Sequence, residues 1–464
     1  MIRSSQRTIL IVGAWIAAVW ASSGALDAAA PAPPAWKAGA ASAVITPEEP
    51  MWMAGYAARN KPSEGKFSDL FAKALALEDE GGTRLVIVTV DLIGIPRALR
   101  DAVEKQVREK HHLAPEALLL NASHTHSGPV VRAGKSFYEM SLEQQQRIDK
   151  YAAALPEKLV EVVGKALGDL GPAKLGYCHA RAGFAMNRRL PTPKGYQNSP
   201  YPDGPVDHDV PVLRVERPDG KLRAVLFGYA CHNTTLALYQ FCGDYAGFAQ
   251  QYLEEAHPDM TALFMIGCGA DQNPYPRRKL EQAQQHGRTL ANAVEAALLP
   301  APRPITGRLR MALQEVALEF APPPSREALL EMQQQGSQHQ KRHATLLLEE
   351  LQKEGRLRAD YPYLVHVIRF GNDLTLVALA GEVVVDYALR LKRELSGAPV
   401  WVAGYSNETF GYVPSARVLA EGGYEAGGAV LYSSLPGPFA PSIEERIVGK
   451  VHELFRATRP EGAP

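Results

Sequence analysis

The sequence predicts an α/β fold: one large catalytic domain of mixed sheets with flanking helices, carrying an exposed helical excursion. Three observations predict it. From Trp36 onward, short runs rich in Val, Ile and Leu alternate with longer amphipathic stretches, the pattern of strands interleaved with helices. The composition, 46% apolar and 22% charged over 464 residues, supplies a large core. Between residues 36 and 456 no Pro/Gly/Ser-rich linker divides the chain. The 50 basic residues balance 50 acidic ones without clustering, which excludes a nucleic-acid or anionic-membrane footprint as the main business of the chain.

Taken in order, residues 1–30 read as a signal peptide and tether. Arg3 and Arg7 precede an apolar run from Ile9 to Trp20, and small residues such as Ser23 and Ala25 follow. That run is shorter than the ~20 residues a membrane-spanning helix needs, so the expectation is export to the periplasm or beyond. Four cysteines remain, Cys178, Cys231, Cys242 and Cys268, which allow three complete pairings. An oxidising compartment permits a Cys231–Cys242 bond, and buried free thiols fit equally well. "RLVIVTVDLIG" (84–94) predicts a buried strand ending at Asp91, with a helix after it; "EALLLNAS" is the next strand and 142–168 the next helix. Further strands fall at "VPVLRVE", "LRAVLFGYACH", "TALFMIGCG", "LTLVALAGE" and "PVWVAGYSNE", with helices near 247–256, 279–298 and 383–395. Residues 323–357 carry a Leu stripe among Gln, Glu, Lys and Arg and read as the excursion, a surface hairpin on which His339 and His343 face solvent. A terminal helix closes the 36–456 domain, and 457–464 is a flexible tail.

The chemistry sits where apolar runs end. In "EALLLNASHTHSGP", residues two apart on a strand share a face, so His124 and His126 point the same way. Gly128 and Pro129 then turn the chain. A second run ends at His232 in "LFGYACHNTT", and a third at Glu382 in "LVALAGEVV". Neutral nitrogens plus one carboxylate, with a position left for water, make the donor set of a catalytic zinc. One His or Glu at such a place is ordinarily a cap or an ion-pair partner; the conjunction carries the reading.

The segments "NASHTHSGP", "ACHNTT", "AGE" and "GYVPS…GGYE", with "AGAASAVITP…MAGYAAR…DLFAKALALED" near the start, resemble the neutral/alkaline non-lysosomal ceramidase family. The resemblance runs in order from about Ala38 to about Ser434. It implies a secreted zinc-dependent amidohydrolase that cuts an N-acyl, ceramide-like amide of a small-molecule or lipid substrate. It also implies one Zn2+ per chain, held by His124, His232, Glu382 and Tyr412. His126 lies beside the zinc, Arg188 of "MNRR" belongs to the active site, and Tyr424 faces the substrate. Zinc lowers the pKa of a bound water to ~7, and His126, Tyr424 or Arg188 supplies donors to the oxyanion. With an unperturbed pKa near 6.5, His126 delivers the proton to the leaving amine.

Two departures stand out. Where the family carries a serine in a Gly-Asp-Val-Ser-Pro-Asn-like loop, this chain has "GCGADQNPYPRR" (267–278) and no serine. Asp271 stands there as a candidate catalytic residue, with a loop cap an equally good reading. The family's C-terminal immunoglobulin-like domain is also not expected here. The alternatives are a zinc hydrolase on the same scaffold that cuts another amide or ester, of sugar or peptidoglycan origin, and a non-catalytic zinc-stabilised binding protein. An amidohydrolase barrel fits poorly, because its HxH belongs on the first strand.

Overall fold

The computed structural model describes residues 36–132, 138 and 140–459; the signal-peptide stretch and the end of the tail lie outside the described residues. Strands β1 (Trp36–Val44), β2 (Phe71–Asp79) and β3 (Arg84–Val90) form an antiparallel meander. Helix α1 (Arg97–His111) crosses to β4 (Leu118–Ala122), which lies parallel to β3. Helix α2 (Leu142–Gly168), whose N-terminus is capped by Ser141 Oγ accepting from the Gln144 amide, returns to β5 (Gly171–Arg181) beside β1. After the hairpin of β6 (Ala185–Thr192) and β7 (Gly195–Tyr201) come β8 (Asp209–Glu216), β9 (Leu222–Tyr229), α3 (Asp244–Ala256) and β10 (Thr261–Ile266). Strand β11 (Gln272–Pro274) joins β6, and α4 (Leu280–Leu298) leads to β12 (Arg303–Ile305), on β5. The large sheet has the order β10-β9-β8-β5-β1-β2-β3-β4.

The remainder builds a second sheet. Strand β13 (Leu309–Glu319) is followed by the hairpin of α5 (Arg326–Gln335) and α6 (Gln338–Glu354), then β14 (Asp360–Phe370) and β15 (Leu374–Leu379). Short β16 (Glu382–Val383), α7 (Val385–Glu394), β17 (Val400–Ala403), β18 (Tyr412–Val413), α8 (Ala416–Glu421) and α9 (Ile443–Ala457) complete the chain. This sheet runs β13-β14-β15-β17, with β15 and β17 parallel.

The two sheets pack face to face between two helical layers. In β3, Leu85 and Ile87 meet the other sheet's Ile368 and Leu376, whereas Val86 and Val88 meet α1 and α2 through Val103 and Leu159. Both faces are buried, which is why "RLVIVTV" is apolar throughout and does not alternate. Strand β9 repeats the division, with Leu226 in the central layer and Val225 and Phe227 under α3 and α4. On the far side α7 and α9 cover Val365, Val367 and Val377. The elements expected from sequence are present; β5, β13 and β14 are among those not foreseen.

One expectation changes, and of the two readings of the cysteines one holds. The hairpin has a small core of its own in Leu329, Ala344, Leu347 and Leu357, yet its histidines do not face solvent. His343 is buried with Nδ1 3.1 Å from the Ser433 carbonyl, and the His339 ring lies 5.0 Å from that of Tyr432. The solvated reading failed because the hairpin folds back onto the 428–433 segment. All four cysteines are free and buried. Among the described residues no helix is long and apolar enough to cross a membrane.

Candidate metal centre

Strand β4 ends at Ala122, so strand alternation is not what aligns the two histidines. The Ser123 amide still donates to the Val90 carbonyl, and His124 then takes a left-handed φ of 59°. That kink turns its ring back, and the Nε2 atoms of His124 and His126 end 3.1 Å apart. The bridge between Thr125 and Asn233 and the His126 amide bond to the Asn233 carbonyl sew this loop to the "ACHNTT" loop beyond β9, which brings in His232. Glu382 arrives from the other sheet. Gly381, at φ 76°, leaves no room for a side chain, since a Cβ would sit 2.7 Å from Val413. The next residue pairs in parallel register with Tyr412, so Glu382 and Tyr412 are neighbours across two short strands.

The Oε2 atom of Glu382 lies 3.2 Å from His124 Nε2 and 3.4 Å from His232 Nε2, and Tyr412 Oη lies 3.5 Å from His232 Nε2. Ligand nitrogens of His124, His126 and His232 all fall within 4.8 Å of one another. A tetrahedral site with bonds of 2.0–2.1 Å has edges of about 3.3 Å, which these separations match. The protons decide what the group can hold. Nδ1 of His124 is 2.5 Å from the Ile93 carbonyl, and Nδ1 of His232 is 2.6 Å from the Gly269 carbonyl. Each Nδ1 therefore carries the proton, and each Nε2 turns a lone pair inward, the arrangement of ligating histidines with a carbonyl behind them. Glu382 Oε2 is buried without a hydrogen-bond partner. Two imidazole lone pairs and a carboxylate oxygen thus converge with no proton between them, and a cation relieves that repulsion.

Burial and the neighbouring Arg188 bring the His232 pKa down to about 3, so it stays neutral. Burial, then His124 and His232, lower His126 well below its ordinary value. His126 is therefore neutral at rest, and a proton it delivers to a leaving amine is one it has first taken up.

A cavity of about 310 Å³ opens on these groups, lined by His124, His126, Glu382, Tyr412 and Tyr424 among others. Residues 36–273 match the family described as "Neutral/alkaline non-lysosomal ceramidase, N-terminal". The chain belongs to this ceramidase family. Two solved structures are similar to it: neutral ceramidase from Pseudomonas aeruginosa, at 20% identity, covering 92% of this chain and 75% of that one with a TM-score of 0.73, and a ceramidase complexed with C2, at 18% identity, covering 93% and 76% with a TM-score of 0.71. At such identities the likeness is one of fold. No curated protein matches. Family and fold support a ceramidase-type hydrolase, and the buried histidines offer a place for a metal ion.

The other ceramidase-motif residues divide into two groups. Arg188 is buried behind the centre: Nη2 donates to Tyr412 Oη at 2.9 Å, Nη1 lies 3.2 Å from His232 Nε2, and Nε donates to Glu425 at 2.8 Å. These contacts set Arg188 beside both Tyr412 and His232. Tyr424 lines the cavity, 39% exposed, with its ring 5.2 Å from that of Tyr412. Asp271 faces elsewhere: Oδ1 accepts from the Val385 amide at the head of α7, and Oδ2 from Asn187 Nδ2. Burial raises its pKa to about 7. Of the two readings offered by the sequence, these bonds fit the cap and give Asp271 no contact with the centre.

Sequence reasoning missed Glu425 and Gly55. Glu425 is buried between Arg188 and Arg189, accepting from Arg189 Nη1 at 2.5 Å. It belongs to the quoted "GGYE", where only the tyrosine was weighed. Gly55, at φ 97°, lies against His126, whose Nδ1 would be 2.4 Å from a Cβ there; a glycine in an opening segment gives no such signal.

Proposed function

We propose that the protein is an exported, zinc-dependent amidohydrolase of ceramidase type that cleaves an N-acyl amide with water. The observation that carries this reading is the proton-free convergence of His124, His232 and Glu382, with the Glu382 oxygen 3.2 and 3.4 Å from the two Nε2 atoms. These three would hold the cation, with Tyr412 as fourth ligand. Bound there, zinc supplies Lewis acidity to water and to the amide carbonyl.

His126 handles the proton. Unlike His124 and His232 it has no partner on Nδ1, while its Nε2 lies 3.1 Å from that of His124. Resting neutral, it takes the proton of the attacking water and returns it to the amine nitrogen as the C–N bond breaks. Arg188 holds Tyr412 Oη beside His232, and Glu425 holds Arg188. The Tyr424 hydroxyl is the donor for charge developing on the amide oxygen. Asp271 secures the loop that brings Gly269 to His232, through its bond to α7.

The test is metal analysis of the purified mature protein, followed by hydrolysis of a fluorescent N-acyl sphingosine beside N-acyl sugars and N-acyl amino acids. One zinc per chain with turnover of the sphingosine amide is the expected result. Zinc with turnover of the other amides alone moves the substrate to sugar or peptidoglycan derivatives. A metal-free chain that hydrolyses none of them refutes the reading.

A further inference from the structure

The α5–α6 hairpin enters the cavity wall, although the sequence marks it as a surface excursion. His339 at the start of α6 lines the same cavity as the metal-site residues. A continuous series of rings connects the two. Tyr412, paired with Glu382, lies 5.2 Å from Tyr424; Tyr424 lies 6.4 Å from Tyr432; Tyr432 lies 5.0 Å from His339. All four rings line the cavity. Buried His343 pins the helix to this wall through the Ser433 carbonyl, and Ser433 also lines the cavity. Another part of the lining is mainly aliphatic, with Arg132, Tyr138 and Thr409 as its polar members. Ala54, Ala57, Ile93, Val130 and Val131 come from the loops around His124 and His126 and carry no polar side-chain atoms.

The two halves of an N-acyl amide differ in the same way. An acyl chain matches the aliphatic surface. The Tyr432 phenol and the His339 imidazole, each able to donate and to accept, match an amine that bears hydroxyl groups. We propose that His339 and Tyr432, carried to the cavity by the hairpin and its contact segment, recognise the hydroxylated amine half of the substrate and so set which amine is released. The proposal rests on the amidohydrolase reading above and adds the residues that determine specificity. Ring packing and the His343 bond would by themselves account for the hairpin's attachment. They predict no preference between amides, which makes the two explanations separable.

The experiment compares two amides with the same acyl chain, one of a 2-amino-1,3-diol and one of an unhydroxylated n-alkylamine, in wild type, His339→Ala and Tyr432→Phe. Thermal melting and bound metal are measured alongside. The ratio of kcat/KM for the hydroxylated over the plain amide is expected to fall about 10-fold in each variant, mainly through KM, the size of one or two neutral hydrogen bonds. A ratio within twofold of wild type in both variants overturns the proposal, whatever the absolute rates. Tyr432→Phe keeps the ring and removes only the hydroxyl, so it answers even if His339→Ala loosens the hairpin. If wild type hydrolyses neither amide, the assignment of a sphingosine-type substrate fails on its own. Calorimetric titration with the short-chain aminodiol amide then reads the inference: binding by wild type weakened in both variants supports it, and binding that is absent, or equal in all three proteins, overturns it.

Discussion

Glu425→Gln removes one negative charge from a place where water cannot replace it. Glu425 is 3% exposed and bridges two guanidinium groups, Arg188 through Oε1 at 2.8 Å and Arg189 through Oε2 at 2.5 Å. Arg189 keeps Glu421 at 3.1 Å, but Arg188 keeps only neutral partners and His232. Deleting one partner of a buried ion pair costs about 3–5 kcal/mol, because the remaining charge stays desolvated. For a chain of this size that lowers Tm by roughly 3–6 °C. The effect reaches the centre because the uncompensated Arg188 cation contacts Tyr412 and His232 and opposes a second cation there. Loss of a residue that orients metal ligands typically costs about 10–100-fold in metal affinity or rate. The assays are differential scanning calorimetry, zinc titration against a competing chelator, and kcat on the best amide. Arg188→Met with Glu425→Gln closes a double-mutant cycle, and the pair should lose far less than the sum of the single losses. A Glu425→Gln protein with wild-type Tm, zinc affinity and kcat would refute the claim that this carboxylate supports the site.

Three other outcomes are expected. His124→Ala should lose bound zinc and activity together, whereas His126→Ala should keep zinc and lose rate about 10²–10⁴-fold, as a general acid–base residue does; elemental analysis and kcat distinguish them, and full rate in the second refutes its role. Gly55→Ala should lower kcat with zinc retained, because the added Cβ falls 2.4 Å from His126 Nδ1 and the backbone is at φ 97°; equal kinetics would mean the ring moves without consequence. Asp271→Asn should flatten the pH dependence of stability: with its pKa raised from 3.8 to about 7 by burial, the folded state holds a proton that the unfolded chain releases, so its contribution is full below pH ~4 and lost as pH rises to ~7, on the order of 4 kcal/mol in all. Denaturant melts from pH 4 to 8 measure the slope, and an unchanged slope would mean Asp271 is ionised when folded.

The parts of the site legible in sequence were those at ends of apolar runs. His124, His232 and Glu382 each follow a strand that is buried on both faces, and an ionisable residue there stands out against the Val, Leu and Ile before it. Arg188 lies in the polar strand β6 and Tyr412 in the two-residue β18, neither with a long apolar run, and only motif resemblance singled them out. Glu425 was hidden for a different reason: its value depends on two arginines more than 230 positions earlier, a contact made by the fold and by no local period. The hairpin misled because amphipathicity reports that one face is apolar without reporting what covers the other. The long strand β14, "DYPYLVHVIRF", was passed over although it is buried along nearly its whole length; Asp360 and Pro362, its exposed residues, fall where strand propensity is weakest.

The prediction that His124 and His126 share a direction held for a reason other than the one that produced it. Alternation along a strand needs extended backbone, and His124 is left-handed. So are Tyr405 at φ 50° and Asn407 at φ 61°, on the segment that pairs with the end of β4. For a residue other than glycine this conformation costs about 1–2 kcal/mol, and three such residues close together persist only if their surroundings hold them. Those bonds are present: the Ala122 amide donates to the Tyr405 carbonyl, the Asn407 amide to the Leu120 carbonyl, and Asn407 Oδ1 accepts from the Leu120 amide. The Tyr405 ring then lies 4.4 Å from the ring of His124. Each strained stretch is therefore the other's splint, one from each sheet. The direction of the His124 lone pair is set by the seam between the sheets, which is why a donor set drawn from both of them can meet at one point.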